Sequence, residues 1–132
     1  MRTEDTNAMK ILYIALLASL LTAPLQSQQG RLCKGNSDLV GECFKLHGRV
    51  RIVNGAGMVI WHIGTDRILG VGDEDEIIPD GLSKALSKPG DVYGRDVFGD
   101  FEVCPLTKSK AGEMQVVCVA SASHLVVREN TH

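Results

Sequence analysis

The chain is poor in aromatic residues and has no excess of positive charge, and each shortage narrows the ligands it could bind. Only one Trp, two Tyr and three Phe occur among its 132 residues. A carbohydrate-binding platform built from several exposed rings is therefore not expected. The formal net charge of -2 argues against general nucleic-acid binding, because such domains carry a basic surplus.

Motifs of catalysis are also missing from the sequence. It contains no G-x-S-x-G, H-E-x-x-H or S-x-x-K motif and no phosphate-binding glycine loop, so none of the common catalytic or nucleotide sites is indicated. No cofactor is expected, and the favoured interpretation is a protein that is not an enzyme. A hydrolase with a carboxylate pair among Asp96, Asp100 and Glu102 stays open, since spacing does not show whether these residues meet.

The longest uncharged apolar stretch, residues 11–25 (ILYIALLASLLTAPL), is short for a membrane span, which needs about 20 apolar residues. Lys10 precedes it and polar residues follow it, as in a secretory signal peptide. The sequence therefore predicts a signal peptide over residues 1–27, with Met9 as an alternative start, and a single β-rich domain over residues 28–132. An uncleaved anchor is the alternative. The expected location is periplasmic or secreted, with no membrane span in the mature form.

Alternation of apolar and polar residues predicts β-strands. From Phe44 to Ile52 every second residue is polar, which is the pattern of a strand with one buried face. A second strand follows up to Ile63 and a short third strand at 68–71, then a short helix over 79–86 and strands at 97–104 and 114–120; residues 124–128 either continue the last strand or form a sixth. This chain order is that of the OB fold. We expect a mainly β fold: a small five- to six-stranded OB-like barrel or sandwich with one short helix between strands 3 and 4.

A β-hairpin joins the first two predicted strands at Asn54-Gly55, the dipeptide best suited to a two-residue turn. In that register Val50 lies opposite Val59, and Gly48 lies opposite Trp61, whose indole would cover the glycine. A four-residue loop would shift the partners by an even number of residues and keep the same faces. Both versions place Trp61 on the buried face.

Four cysteines follow the apolar stretch: Cys33, Cys43, Cys104 and Cys118. An even number in a small exported domain indicates two disulfides, and no pair has the C-x-x-C spacing of a redox or zinc site. Folding strands 4 and 5 together brings Cys104 near Cys118, so the preferred pairing is Cys33–Cys43 with Cys104–Cys118. Cys43–Cys104 is the main alternative, because strand 1 begins near the end of strand 4 in an OB-like barrel.

Polar residues of the hairpin give two candidate binding sites. In the two-residue register His47 faces His62, and two neutral imidazoles so placed could supply ligands to Zn²⁺ or Cu²⁺. The stripe Lys45, His47, Arg49 and Arg51 carries cations at intervals of about 7 Å and suits an anionic ligand or an acidic protein surface. In OB folds the face of strands 2 and 3 commonly binds ligands.

A third candidate is the acidic run Asp73–Glu76, which lies beside a glycine. Carboxylates of a flexible loop can bind Ca²⁺. The run lacks the spacing of an EF-hand, so a solvated loop is the preferred interpretation.

The segments HGRVRIVNG, IWHIGTDRILGV, VFGDFEVCPL and GEMQVVCV resemble small exported bacterial proteins of uncharacterised function. The resemblance covers residues 43–127 and implies an exported bacterial protein with one compact domain; it implies no activity and no site. The leading hypothesis is therefore a non-catalytic, exported binding or structural domain that recognises an envelope protein or an anionic glycan through the basic strand face. The alternative is a small periplasmic metal-handling protein that uses His47 and His62.

Overall fold

The computed structural model describes residues 33–72 and 78–130. The predicted signal peptide and the acidic run Asp73–Glu76 lie outside these residues and stay predictions. Within the described residues, no helix is long and apolar enough to cross a membrane.

Five strands and one short helix make up most of the described chain, which confirms the prediction of a mainly β fold with one short helix. The strands are β1 (Phe44–Val53), β2 (Gly57–His62), β3 (Ile68–Val71), β4 (Arg95–Pro105) and β5 (Gln115–Glu129). Helix α1 (Asp80–Leu86) follows β3, and a 3₁₀ turn (Val92–Gly94) precedes β4. Residues 124–128 belong to β5, so they continue that strand and do not form a sixth.

The five strands are hydrogen-bonded in the order β1-β2-β3-β5-β4, and β4 pairs with β1 to close the sheet into a barrel. All neighbours are antiparallel except β3 and β5, which are parallel. Parallel neighbours require a long crossover connection, and here the chain between them contains α1 and β4. Because a closed sheet has no free edge, side chains on the outer strand face are the sheet's main contact with solvent.

Alternate residues of the strands fill the barrel interior, as their period of two predicts. Leu46 and Val50 of β1 are buried, and their partners in the core are Ile60, Leu69, Leu82, Val97, Phe101, Val103, Val117 and Val119. Gly48 lies between them on the inner face. A Cβ there would lie 2.7 Å from Leu46 Cδ1 and 2.8 Å from Ile60 Cγ2, so any larger residue would require these core side chains to shift.

The β1–β2 hairpin has a three-residue loop, so the predicted register is wrong by one position. Val53 pairs with Gly57, and the backbone N–H of Ala56 closes a turn on the carbonyl of Val53 at 3.1 Å. Gly55 adopts a φ of 83° in this turn and Gly57 a φ of 74°. Such positive angles suit glycine, and the second glycine lets the chain enter β2 one residue later than a two-residue loop would.

An odd shift of register reverses the faces of β2, because side chains alternate along a strand. Val50 therefore pairs with Ile60 and not with Val59. Trp61 pairs with Arg49 on the outer face, so the prediction that its indole covers Gly48 is wrong.

Arg95, at the start of β4, is fully buried. Its guanidinium donates hydrogen bonds to the carbonyls of Leu86 at 2.9 Å, Lys88 at 2.8 Å and Pro89 at 3.0 Å. Its Nε donates to Glu129 Oε1 at 2.6 Å. The last carbonyls of a helix have no partner within the helix, so Arg95 satisfies this end of α1 and fixes the helix to β4 and β5.

The two disulfides are Cys33–Cys118 and Cys43–Cys104. The preferred pairing, Cys33–Cys43 with Cys104–Cys118, is wrong, and the alternative bond Cys43–Cys104 is formed. Cys104 and Cys118 do face each other in the β4–β5 register, but each is bonded to a cysteine that precedes β1. Two disulfides are consistent with a protein outside the cytoplasm.

Candidate functional site

The outward side chains of β1 and β4 form matched rows across the barrel surface. The register places Lys45 opposite Glu102, His47 opposite Asp100, and Arg51 opposite Asp96. The basic stripe and the three candidate carboxylates are therefore one feature, because three of the four stripe residues face a carboxylate. Arg49 differs from the others, since it faces Phe98.

Arg51 and Asp96 form the tightest of these pairs. Arg51 donates from Nε to Oδ1 at 2.7 Å and from Nη2 to Oδ2 at 2.9 Å, and Asn130 Nδ2 donates to Oδ2 at 2.8 Å. Asp96 is only 4% exposed. The hydrogen bond from Arg51 holds the pKa of Asp96 below its usual range and raises that of Arg51. This arginine is thereby committed to a buried carboxylate and is poorly placed to bind a ligand.

Asp100 lies between two histidines on neighbouring strands. His47 Nδ1 is 2.9 Å from Asp100 Oδ1, and His124 Nδ1 is 3.0 Å from Oδ2. The hydrogen bond from His47, and then that from His124, holds the pKa of Asp100 below its usual range. Each ring therefore uses Nδ1 for the carboxylate, and its Nε2 takes no part in this contact.

The backbone at His124 has a conformation that is uncommon for a residue other than glycine. His124 has a φ of 52°, in the left-handed region, and it lies at a register shift between Phe98 and Asp100 of the partner strand. The extra residue on β5 forms a β-bulge. Gly99 lies on the opposite strand, and a Cβ there would come within 2.9 Å of the Ser123 carbonyl, so the bulge requires glycine at this position.

The row through Arg49 is the most apolar of the outer surface. Its members follow one another across the five strands in the register Val126, Phe98, Arg49, Trp61, Ile68. Val126 is 53% exposed and Ile68 is 50% exposed. The Cζ atom of Arg49 lies 4.7 Å from the centroid of the Trp61 ring, within the range of a cation–π interaction. We call these five residues the Arg49 row.

A second arginine–aromatic contact borders the Arg49 row. Arg128 Cζ lies 5.4 Å from the centroid of the Phe98 ring. Trp61 also has its polar atom satisfied, since Nε1 donates to the Thr65 carbonyl at 2.7 Å. Both rings are therefore held in place by contacts on their edges or faces.

His62 does not face His47, so the geometric basis of the predicted metal site is wrong. The one-residue shift pairs His62 with Gly48, which belongs to the inner face of β1, whereas His47 lies on the outer face beside Asp100. The residue that shares the Asp100 carboxylate with His47 is His124, on β5. Among the described residues, the one group of three ligand-type side chains with converging atoms is Cys33, Cys104 and Cys118.

A shallow groove of about 480 Å³ runs beside this polar part of the outer face. It is lined mostly by polar residues, namely Lys45, His47, Asp100, Glu102, Ser121 and Ser123. Glu102 also forms an ion pair with Lys34, with Oε1 and Nζ 2.5 Å apart. A general acid at neutral pH needs a raised carboxyl pKa, yet that of Asp100 is lowered by His47, so this geometry gives little support to a carboxylate hydrolase.

Comparison of the chain with protein-family models, with curated proteins and with solved structures finds no match.

Proposed function

We propose that the protein is an exported, non-catalytic binding domain with an OB-like barrel, and that it holds an acidic partner protein on the Arg49 row. The observation that carries this proposal is the centre of the row: Phe98, Arg49 and Trp61 lie side by side on three neighbouring strands, with the Arg49 guanidinium over the Trp61 ring. The strand order and the helix that precedes β4 support the OB assignment, because that fold is a five-stranded Greek-key barrel.

A protein partner fits this surface better than a glycan. Interface centres are enriched in aromatic residues and arginine, and most of the binding energy comes from a few such residues. Trp61 and Phe98 are half-buried and already held in place by Arg49 and Arg128, so little side-chain freedom would be lost on binding.

The charge of the row favours an acidic partner. Arg49 faces Phe98, whereas its neighbours on β1 face Asp96 and Asp100. A carboxylate from a partner could therefore reach the Arg49 guanidinium without competing with a carboxylate of the β1–β4 register. A cation that is held on an aromatic ring is pre-arranged for such a contact.

The test measures capture of an envelope protein by the purified chain and two of its variants. Arg49→Glu reverses the charge and Trp61→Ala removes the ring; each should weaken binding at least about tenfold. Lys84→Glu, at an exposed position of α1, makes the same charge change away from the row and should bind as the unaltered protein does. Capture that survives both row variants overturns the proposal.

The nature of the captured material separates a protein from a glycan. Loss of capture after protease treatment of the envelope fraction supports a protein partner. Loss after glycosidase treatment alone would assign the row to an anionic glycan, and the partner class proposed here would be wrong.

A further inference from the structure

Asp100 differs from the other two carboxylates on the outer face of β4 in the groups that neutralise it. Each of the others is paired with an arginine or a lysine, in the ion pairs Arg51–Asp96 and Lys34–Glu102. Within the described residues, the ion-pair partners of Asp100 are two histidines, His47 and His124. An imidazole, unlike a guanidinium or an ammonium group, changes its charge between pH 5 and 8. Asp100 is therefore the carboxylate of this face that lacks a permanently charged partner.

The backbone of β5 is distorted at one of these two histidines. His124 is the one residue other than glycine with a positive φ in the described chain, and it lies in the β-bulge opposite Gly99. Ser123 pairs with Asp100, so in a regular strand the next side chain would lie on the inner face. The bulge brings the His124 ring to Asp100 on the outer face instead. Bulges that redirect a side chain, and residues held in strained conformations, are concentrated at functional sites.

We propose that His47, Asp100 and His124 bind one divalent transition-metal ion, and that Cu²⁺ is the ion bound most tightly. Two imidazoles and one carboxylate are a ligand set that proteins use for such ions, and Cu²⁺ generally has the highest affinity for a given set of nitrogen and oxygen ligands. The carboxylate also supplies the negative charge that a cation requires. This site is separate from the Arg49 row and does not depend on the proposed function.

The contacts of Asp100 have the lengths that two ligands of one ion require. His47 Nδ1 is 2.9 Å from Oδ1 and His124 Nδ1 is 3.0 Å from Oδ2. Ligands bonded at about 2.1 Å and at right angles lie about 3.0 Å apart. The ligand atoms of the three residues do not all lie within 4.8 Å of one another, so at least one ring must turn towards the ion. The side chains of His47 and His124 are 59% and 83% exposed, so this rotation does not disturb the core.

The groove beside Asp100 gives an ion and its water ligands access to these residues. Ser121 and Ser123 also line the groove, and their hydroxyl groups can hydrogen-bond metal-bound water. Lys45 lines it too, but this lysine faces Glu102 in the β1–β4 register and leaves Asp100 to the histidines. When an ion replaces the hydrogen bond at Nδ1, the proton of a neutral ring resides on Nε2. Nε2 takes no part in the contact with Asp100.

The experiment titrates the full chain, with both disulfides intact, with Cu²⁺ and with Zn²⁺ in a calorimeter. One Cu²⁺ per chain should bind at micromolar concentration, and Zn²⁺ should bind more weakly. The electron paramagnetic resonance spectrum of the Cu²⁺ form should show coupling to the nitrogens of two imidazoles. Absence of Cu²⁺ uptake, or a spectrum without imidazole coupling, overturns the proposal.

Variants decide which imidazoles bind the ion. His47→Ala and His124→Gly should each lower the Cu²⁺ affinity by at least about tenfold, and glycine suits the left-handed backbone at position 124. His62→Ala provides the matched control, because it removes an imidazole from β2 that pairs with Gly48 and lies outside the site. Its affinity should equal that of the unaltered chain. Uptake that survives the loss of both His47 and His124, or an equal loss in His62→Ala, would exclude the site.

The role of the carboxylate is tested separately. Asp100→Asn keeps the size of the side chain and removes its charge, and it should lower the Cu²⁺ affinity by about tenfold or more. An unchanged affinity in this variant would show that Asp100 is not part of the site and would overturn the proposal. Trp61→Ala, in the Arg49 row, should leave Cu²⁺ binding unchanged, so failure of the metal site and failure of the proposed function are distinguishable.

Discussion

Arg51 and Asp96 are joined by two hydrogen bonds, of 2.7 Å from Nε and 2.9 Å from Nη2, although they are 45 positions apart in the chain. A guanidinium and a carboxylate that meet in this two-pronged way make one of the stronger polar contacts in proteins. The pair joins β1 to β4, where the barrel closes. One member of the basic stripe is therefore part of the fold, which is why the proposed binding surface centres on Arg49.

The pair predicts a specific loss of stability in acid. The Arg51 hydrogen bond lowers the pKa of Asp96 in the folded protein, whereas in the unfolded chain this pKa is about 3.9. The stabilisation is therefore fully present above about pH 4 and is lost as the pH falls through the folded-state pKa. Asp96→Asn should lower the free energy of unfolding by about 2 kcal/mol at pH 7, the range of hydrogen bonds to a charged group, measured by urea denaturation.

Measuring the stability of both proteins as a function of pH provides the control for this prediction. The difference between the unaltered protein and Asp96→Asn should shrink below pH 4, because protonation removes the charge that the variant lacks. Asp100→Asn, at an exposed position, should cost less than Asp96→Asn at pH 7. A difference for Asp96→Asn that is the same at pH 7 and pH 3 would contradict this explanation.

Local periodicity was sufficient to predict most of the strands and one face of β1. The alternation from Phe44 onwards places Leu46 and Val50 in the core, as observed. The faces of β2 could not be predicted in the same way, because they depend on whether the loop has an even or odd number of residues. Gly55 and Gly57 both have positive φ, and the sequence does not show which of them ends the turn.

The pairing of strands that are far apart in the sequence could not be predicted from local patterns. Asp96, Asp100 and Glu102 alternate with the same period as the basic stripe, which is a signal of a matching outer face on β4. Nothing in their spacing shows that they lie across from the stripe, since that pairing depends on closure of the barrel. The pairing of the cysteines could not be predicted for the same reason. Four cysteines allow three connectivities, and only tertiary packing selects one of them.

Gly99 is expected to be the glycine of β4 that tolerates no side chain. A Cβ at this position would lie 2.5 Å from Leu125 Cδ2 and 2.9 Å from the Ser123 carbonyl, and the backbone of the bulge has little freedom to move. Gly99→Ala should lower the free energy of unfolding by about 1–3 kcal/mol, in the range of an overpacked core. Thermal or urea unfolding measures this.

Gly81 provides the matched control for Gly99. It lies in α1, and a Cβ there would meet only Leu125 Cδ1, at an ordinary 3.5 Å. Gly81→Ala should leave stability unchanged or raise it by up to about 1 kcal/mol, because alanine favours a helix more than glycine does. Equal effects at Gly81 and Gly99 would refute the steric argument.

His124 is predicted to store backbone strain that glycine would release. Its φ of 52° lies in the left-handed region, which costs an L-residue roughly 1–2 kcal/mol. His124→Gly and His124→Ala both remove the contact with Asp100, but only glycine removes the strain. The glycine variant should therefore be the more stable of the two by about 1 kcal/mol in urea denaturation. A more stable alanine variant would show that the left-handed conformation carries no cost here.

Arg95 is the polar residue whose substitution is expected to lower the stability of the fold most. Arg95→Met would leave the partly buried carbonyls of Leu86, Lys88 and Pro89 without the donors that now satisfy them, and each such hydrogen bond contributes about 1 kcal/mol net to stability. We expect a loss of at least about 3 kcal/mol in the free energy of unfolding and faster hydrogen exchange in α1 than in β4. Glu129→Gln keeps an acceptor for Arg95 Nε at a half-exposed position, and should cost less than half as much. If the two variants were equally destabilised, the ion pair with Glu129 and not the cap of α1 would be the main contribution of Arg95.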